Sequence, residues 1–191
     1  MPSATDRDLV DRFTGSGDED AFGELYARHV HRVHRIVARV LGPLGEVDDA
    51  VQEIFVQVYR SLDRFRGECR FTTWLYRVAV NVTTSALRRR TRDPVDLADR
   101  PPDPEPGDRL DAREDVLALY RALDELPERS RVAFVLFELE GMPLDEVAET
   151  TGVPLQTAAA RLRRARVALA RTLERGPATG EPAVLTRGGK P

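Results

Sequence analysis

The sequence predicts an all-α chain: two small helical domains joined by a flexible, acidic, proline-rich linker. Three observations lead there. Apolar residues recur at intervals of three and four through both halves, the spacing of a single helix face. Between the halves that periodicity stops, and Pro94, Pro101, Pro102, Pro104 and Pro106 alternate with acids. The C-terminal half is a run of short helical patterns punctuated by Pro127, Gly141, Gly152 and Pro154. The expected division is a first domain over 1–91, a linker over 92–111, a second domain over 112–175 and a disordered tail over 176–191.

In the first domain, Thr5 with Asp8 three residues on forms an acidic variant of the capping box, starting a short helix to Phe13. Gly15-Ser16-Gly17-Asp18 breaks it. Phe22, Leu25, Tyr26, Val30, Val33, Ile36, Val37 and Val40 then keep helical spacing until Gly42-Pro43, while Arg28, His31, Arg32, Arg35 and Arg39 hold the opposite face. His29, His31 and His34 do not share one helical face, and no carboxylate or cysteine completes a ligand set, so neither a metal nor a cofactor is expected.

Residues 47–81 read as two amphipathic helices around a polar loop. Val51, Ile54, Phe55, Val58 and Leu62 make the apolar face of the first. Its other face carries Asp49, Gln52, Glu53 and Arg60 with Val56 among them, either an ordinary surface with one stray valine or a docking face for another protein. The loop over 63–70 has Gly67 as a breaker and Arg64, Arg66 and Arg70 as potential phosphate partners. In the next helix, from about 72 to 90, Phe71, Trp74, Leu75, Val78 and Val82 form the apolar stripe. Core packing is the expectation for both aromatics. Thr73, Arg77, Asn81, Thr84 and Arg88 form a second, acid-free stripe. The cluster Arg88-Arg89-Arg90 also suits a helix C-terminus. The helix dipole does not account for the acid-free stripe before it; a nucleic-acid face does.

Composition narrows the class. The chain is 41% hydrophobic and 32% charged, and no apolar run approaches the ~20 residues of a membrane span. The start, MPSATDRDLVDRF, has no apolar signal core, so a cytoplasmic protein without membrane insertion is expected. One cysteine, Cys69, excludes an internal disulfide and a cysteine-only zinc site. Lys190 is the only lysine, so arginine carries the basic charge. A formal net charge of −3 argues against nucleic acid until its distribution is considered. Residues 93–115 hold nine acids against three arginines, a balance of −6, which leaves the rest of the chain at +3.

In the second domain, Val116, Leu119, Tyr120 and Leu123 pattern one helix, and Val132, Val135, Leu136 and Leu139 the next. The stretch from Pro143 to Arg166 then has helix-turn-helix logic: small Ala148 at the crossing, Gly152 in the turn, Val153 toward the core and Pro154 ready to start a helix. Ala158, Leu162, Ala165 and Leu169 are its expected buried stripe, with Gln156, Ala159, Ala160 and Arg163 turned toward a major groove. Arg161, Arg163, Arg164, Arg166 and Arg171 follow with no acid between Gln156 and Thr172.

Two runs carry a resemblance. Asp49-Ala-Val-Gln52-Glu53-Ile-Phe55 and Phe71-Thr-Thr-Trp74-Leu75-Tyr76-Arg77-Val-Ala-Val-Asn81 resemble the promoter-melting domain of the extracytoplasmic-function sigma factors of bacterial RNA polymerase. The second domain resembles them too, in Leu126-Pro-Glu-Arg129 and Leu144-Asp-Glu-Val-Ala148. The resemblance implies a non-enzymatic initiation factor. It would contact the clamp of the largest polymerase subunit through Asp49, Gln52, Glu53 and Val56. The −10 element would be taken as separated strand by Arg66, Arg70, Thr73, Arg77, Asn81, Thr84 and Arg88, with Asn81 and the residues of the 63–70 loop capturing a base and Arg77 and Arg88 holding phosphates. Duplex −35 DNA would be read by Gln156, Thr157, Arg161, Arg163, Arg164 and Arg166. An anti-sigma factor is an implied further partner. One departure stands out: the family usually has Thr-Val-basic-Ser-Arg where this chain has Thr157-Ala-Ala-Ala-Arg161. Two other readings of the residues stay open, a helix-turn-helix regulator acting without polymerase and a helical protein-binding adaptor.

Overall fold

The structure, a computed structural model, describes residues 4–42, 46–92, 119–120 and 122–174. The acidic linker and the tail expected from sequence lie outside the described residues. All regular structure among the described residues is helical. Helix α1, Asp6–Ser16, starts at the expected capping box: Asp8 donates its backbone N–H to the Thr5 hydroxyl, and the Asp8 carboxylate accepts from Thr5. Asp18 caps α2, Glu19–Leu41, which runs to Gly42 as the spacing predicts. Helix α3 spans Val47–Ser61, and a 3-10 turn over Leu62–Arg64 leads into the loop before α4, Phe71–Arg92.

In the C-terminal unit, residues 119–120 and 122–124 are helical and α5 spans Glu128–Phe134. The chain then widens into a π-helical turn over Val135–Leu139, closed by Glu140 N–H donating to the Val135 carbonyl at 3.0 Å. Helix α6, Leu144–Thr151, ends at Gly152, whose φ of 65° is the left-handed cap of the helix-turn-helix bend. Helix α7, Leu155–Glu174, follows, and Ala158, Leu162, Ala165 and Leu169 are its buried stripe as expected.

The two units pack against each other. Helix α4 lies on α5 and α6, and α2 lies on the π turn. One apolar cluster runs through both: Ile36, Leu75 and Ala79 belong to the same core as Leu136, Met142 and Val147. Each fully buried leucine among them contributes about 1.5–3 kcal/mol of hydrophobic stabilisation. A smaller cluster, Leu123, Leu126, Ala165 and Leu169, holds the C-terminal unit together. Gly42 sits where the units meet, and its left-handed backbone favours glycine there. At Gly42, with φ of 78°, a Cβ would stand 3.2 Å from Arg131 Nη2 and 3.4 Å from the Tyr120 ring.

Candidate nucleic-acid interface

Three helix faces and one loop hold the candidate residues. On α3, Asp49 and Gln52 are exposed, Glu53 is half-buried and Val56 is 39% exposed. Tyr59, a turn beyond Val56, is 42% exposed and extends this face with an aromatic ring. By spacing alone a tyrosine at that position also fits the apolar stripe, so helix periodicity does not single it out. Its hydroxyl donates to Glu19 at 2.7 Å, and that bond raises its pKa above the ordinary value.

The loop before α4 is pinned by aromatics. Phe65 packs on Trp74 at 5.5 Å and on Phe71 at 5.9 Å between centroids, and His29 meets Phe71 at 5.5 Å. Phe71 is buried and Trp74 half-buried, in line with core packing for both. Arg66 and Arg70 stand exposed on the loop, where they can reach a phosphate. Cys69 is a free, half-buried thiol.

The second stripe of α4 is not uniform. Thr73 is 2% exposed, so it cannot present its hydroxyl to a strand in this arrangement and is corrected to a core position. A helix turns about 100° per residue, which leaves Thr73 about 60° around the axis from Arg88. That rotation carries the first turn of the stripe into the packing of α4 on α2 and α3. Further along, Arg77 donates from Nη2 to the Glu149 carbonyl at 2.8 Å, and Arg88 pairs with Glu128 at 2.7 Å. Asn81 is exposed and Thr84 half-buried. The stripe therefore faces the C-terminal unit.

On α7, Gln156, Arg163 and Arg164 are exposed, and neither of these arginines has a carboxylate partner among the described residues. Leu155, 51% exposed at the helix start, adds an apolar contact suited to a thymine methyl, which sequence periodicity had left unassigned. Thr157 is half-buried. Arg161 is half-buried too, and its pKa is lowered by burial and then by the nearby charges of Arg129 and Arg164. Arg166 turns away from this group: it pairs with Glu138 at 2.6 Å and lies over the Phe137 ring. Of the departing alanines, Ala158 is fully buried, so a methyl there costs no DNA contact, whereas Ala159 and Ala160 are half-exposed.

Between α4 and the C-terminal unit lie two cavities. One, about 480 Å³, is lined by Asn81, Thr84 and Arg88 on one side and Gly152, Arg129 and Arg161 on the other. The second, about 990 Å³, runs from Leu87 to Gln156, Thr157 and Arg164. Arg129 and Arg161 line both. The candidate −10 and −35 residues thus confront one another across an arginine-rich cleft. Among the described residues no His, Cys, Asp or Glu group is arranged to hold a metal ion, and no helix is long and apolar enough to cross a membrane.

Comparison with known proteins gives this arrangement its class. Residues 25–93 match Sigma-70 region 2 and residues 117–169 match Sigma-70, region 4. Two helical units of this kind define a sigma factor of RNA polymerase. The chain is 37% identical over 178 residues to the ECF RNA polymerase sigma-E factor of Escherichia coli K12, covering 86% of this chain and 92% of the relative. It is 33% identical over 182 residues to the RNA polymerase sigma-H factor of Pseudomonas aeruginosa, covering 88% and 94%. Among solved structures it is similar to CnrH in complex with the cytosolic domain of CnrY, with a TM-score of 0.68 and 29% identity over 90% of this chain and 98% of that one. It shares its fold with RpoE of Bartonella quintana in complex with the anti-sigma factor NepR, with a TM-score of 0.62 at 22% identity over 80% and 96% of the two chains. The chain belongs to the extracytoplasmic-function sigma factors and directs transcription.

Proposed function

We propose that this sigma factor docks on the clamp of the largest subunit of core RNA polymerase through Asp49, Gln52, Glu53 and Val56. It then engages the promoter in two forms. Helix α7 reads the −35 element as duplex, with Gln156 and Arg163 toward base edges and Arg161 and Arg164 toward phosphates. The loop and α4 take the −10 element as separated strand. Arg66, Arg70, Arg77 and Arg88 hold its backbone, while Asn81 and Thr84 meet an extruded base. Unstacking a base costs a few kcal/mol, and capture by such a surface offsets it. The observation that supports this most is the separation of chemistry: an exposed acidic face with Val56 in its midst lies on α3, while α4 and α7 present acid-free faces. The protein acts in the cytoplasm. The complexes in which CnrH and RpoE were solved support an anti-sigma factor as a further partner.

Run-off transcription with purified core polymerase, with and without this protein, tests the proposal alongside a gel shift lacking polymerase. Promoter-specific transcripts are expected only when both proteins are present. A specific shift without polymerase, and no stimulation with it, would instead mean a stand-alone regulator. Neither signal would leave a protein-binding adaptor.

A further inference from the structure

The loop over 63–70 is touched from outside by α1. Arg7 reaches from the first turn of that helix onto Gly67, where a Cβ would overlap the Arg7 guanidinium and stand 3.0 Å from its Cζ. Gly67 has φ of 72° and no side chain, so the guanidinium lies directly on the loop backbone. Arg7 Nε donates to Asp11 at 3.1 Å, one turn further along α1, and that bond orients the side chain. Neither Nη group of Arg7 has a hydrogen-bond acceptor among the described residues.

The residue before Arg7 ties the same turn to the support of the loop. Asp6 Oδ2 lies 2.9 Å from His29 Nε2, and Asp6 Oδ1 accepts from Arg28 at 3.2 Å. His29 lies against Phe71, and Phe71 against Phe65 of the loop. The first turn of α1 and the loop thus rest on one frame, which keeps Arg7 beside the loop although its side chain is 57% exposed. Arg64, Arg66 and Arg70 flank the same glycine, are exposed, and have no carboxylate partner among the described residues. Asp63 and Glu68 are the acids of the loop, and neither pairs with these arginines.

An arginine whose Nε is taken by a carboxylate keeps both Nη groups for a bidentate bond to phosphate. A base turned into the loop brings its own phosphate to the edge of the loop, where an exposed and oriented cation can hold it. We infer that Arg7 is a further strand-binding residue: from α1 it holds the phosphate of the nucleotide whose base enters the 63–70 loop. The strand surface then extends beyond the loop and α4 to the first helix of the chain. This rests on the promoter assignment proposed above. The contact carries no sequence information of its own; it fixes the register of the strand on the loop.

The test uses the full chain in holoenzyme with core polymerase, on a promoter fragment that yields run-off transcripts. Open-complex affinity is read from the permanganate reactivity of unpaired thymines over a range of salt concentrations. Arg7→Ala should lower that affinity about ten-fold and reduce its slope against salt by about 0.7, the value for one phosphate of a single strand. Arg7→Lys should recover most of the slope but only part of the affinity, because lysine keeps the charge and loses the fork. Binding of the upstream duplex half of the fragment should match the parent. So should the thermal midpoint, since the Arg7–Asp11 pair is exposed. Arg70→Ala is the reference. If Arg70→Ala loses affinity and Arg7→Ala does not, the inference is overturned and the promoter assignment stands. If neither loses affinity, the loop is not the site of the strand, and the assignment falls together with the inference. A loss at the parent's salt slope, an equal loss on the duplex half, or a lowered midpoint would make the role of Arg7 structural or diffuse and overturn the inference too.

Discussion

Helices α4 and α7 are similar in length, 22 and 20 residues, and each presents an acid-free stripe with several arginines. Their situations differ. Arg77 and Arg88 of α4 are engaged by acceptors on the C-terminal unit, whereas Arg163 and Arg164 of α7 stay exposed without a carboxylate partner among the described residues. Sequence pattern reports that a stripe lacks acids, but not what the stripe faces. The contrast teaches that a surface suited to phosphate is also suited to the carbonyls and carboxylates of its own chain. Which of them occupies it is decided by docking between units.

The largest expected effect bears on whether the two units unfold together. Leu136 is fully buried in the core shared by both, so Leu136→Ala should cost about 2–5 kcal/mol and lower the midpoint of a single thermal transition. Calorimetry that resolves two independent transitions, with only one of them displaced, would break the picture of a shared core.

Next in size is the exposed arginine pair. Arg163→Ala with Arg164→Ala should weaken −35 duplex binding by polymerase holoenzyme by about 1–3 kcal/mol, and reduce the slope of affinity against salt by about one unit per lost phosphate contact. Salt titrations that superimpose on the parent would place the duplex contact elsewhere.

Gln52→Ala with Glu53→Ala addresses the third face. Affinity for core polymerase should fall about ten-fold. Glu53 meets Arg89 at 3.5 Å, an exposed pair worth at most about 1 kcal/mol, so the thermal midpoint should barely move. A large drop in that midpoint would make these residues structural.

The smallest effect concerns acid. The pKa of Asp18 is lowered by the Arg12 side chain and then by the Ala21 backbone N–H, and that of Asp8 by the Thr5 hydroxyl and backbone. Groups whose folded pKa is depressed give stability that is present above the unfolded value and lost as pH falls through the folded one. Asp18→Asn should therefore flatten the decline of thermal midpoint below the ordinary carboxylate range and leave its neutral-pH dependence alone. Parallel acid limbs for both proteins would rule Asp18 out as a contributor.

What was legible in the sequence was local. The Thr5–Asp8 box, the stop at Gly42, the bend at Gly152 and the buried stripe of α7 depend on residues a few positions apart, and the structure has all of them. The exposed candidates of α3, Asp49, Gln52 and Val56, were equally readable from one helix period. The pairing of Glu140 with Arg35 and Arg39 of α2 was not, because those arginines lie about a hundred residues upstream. Nor was the burial of Thr73 or the engagement of Arg77, since both follow from how helices dock. The π turn escaped notice because Val132, Val135, Leu136 and Leu139 fit an ordinary helix as well as a widened one.

That turn has a consequence for how such a chain can change over generations. A π turn holds one residue more than the α-helical turn it replaces. Deleting a single residue between 135 and 139 would return the segment to α geometry, and because five residues of π turn sweep about as far around the axis as four of α-helix, Glu140 would keep its bearing. The turn therefore acts as a buffer for chain length: one residue can be gained or lost there while the helices on either side keep their facing.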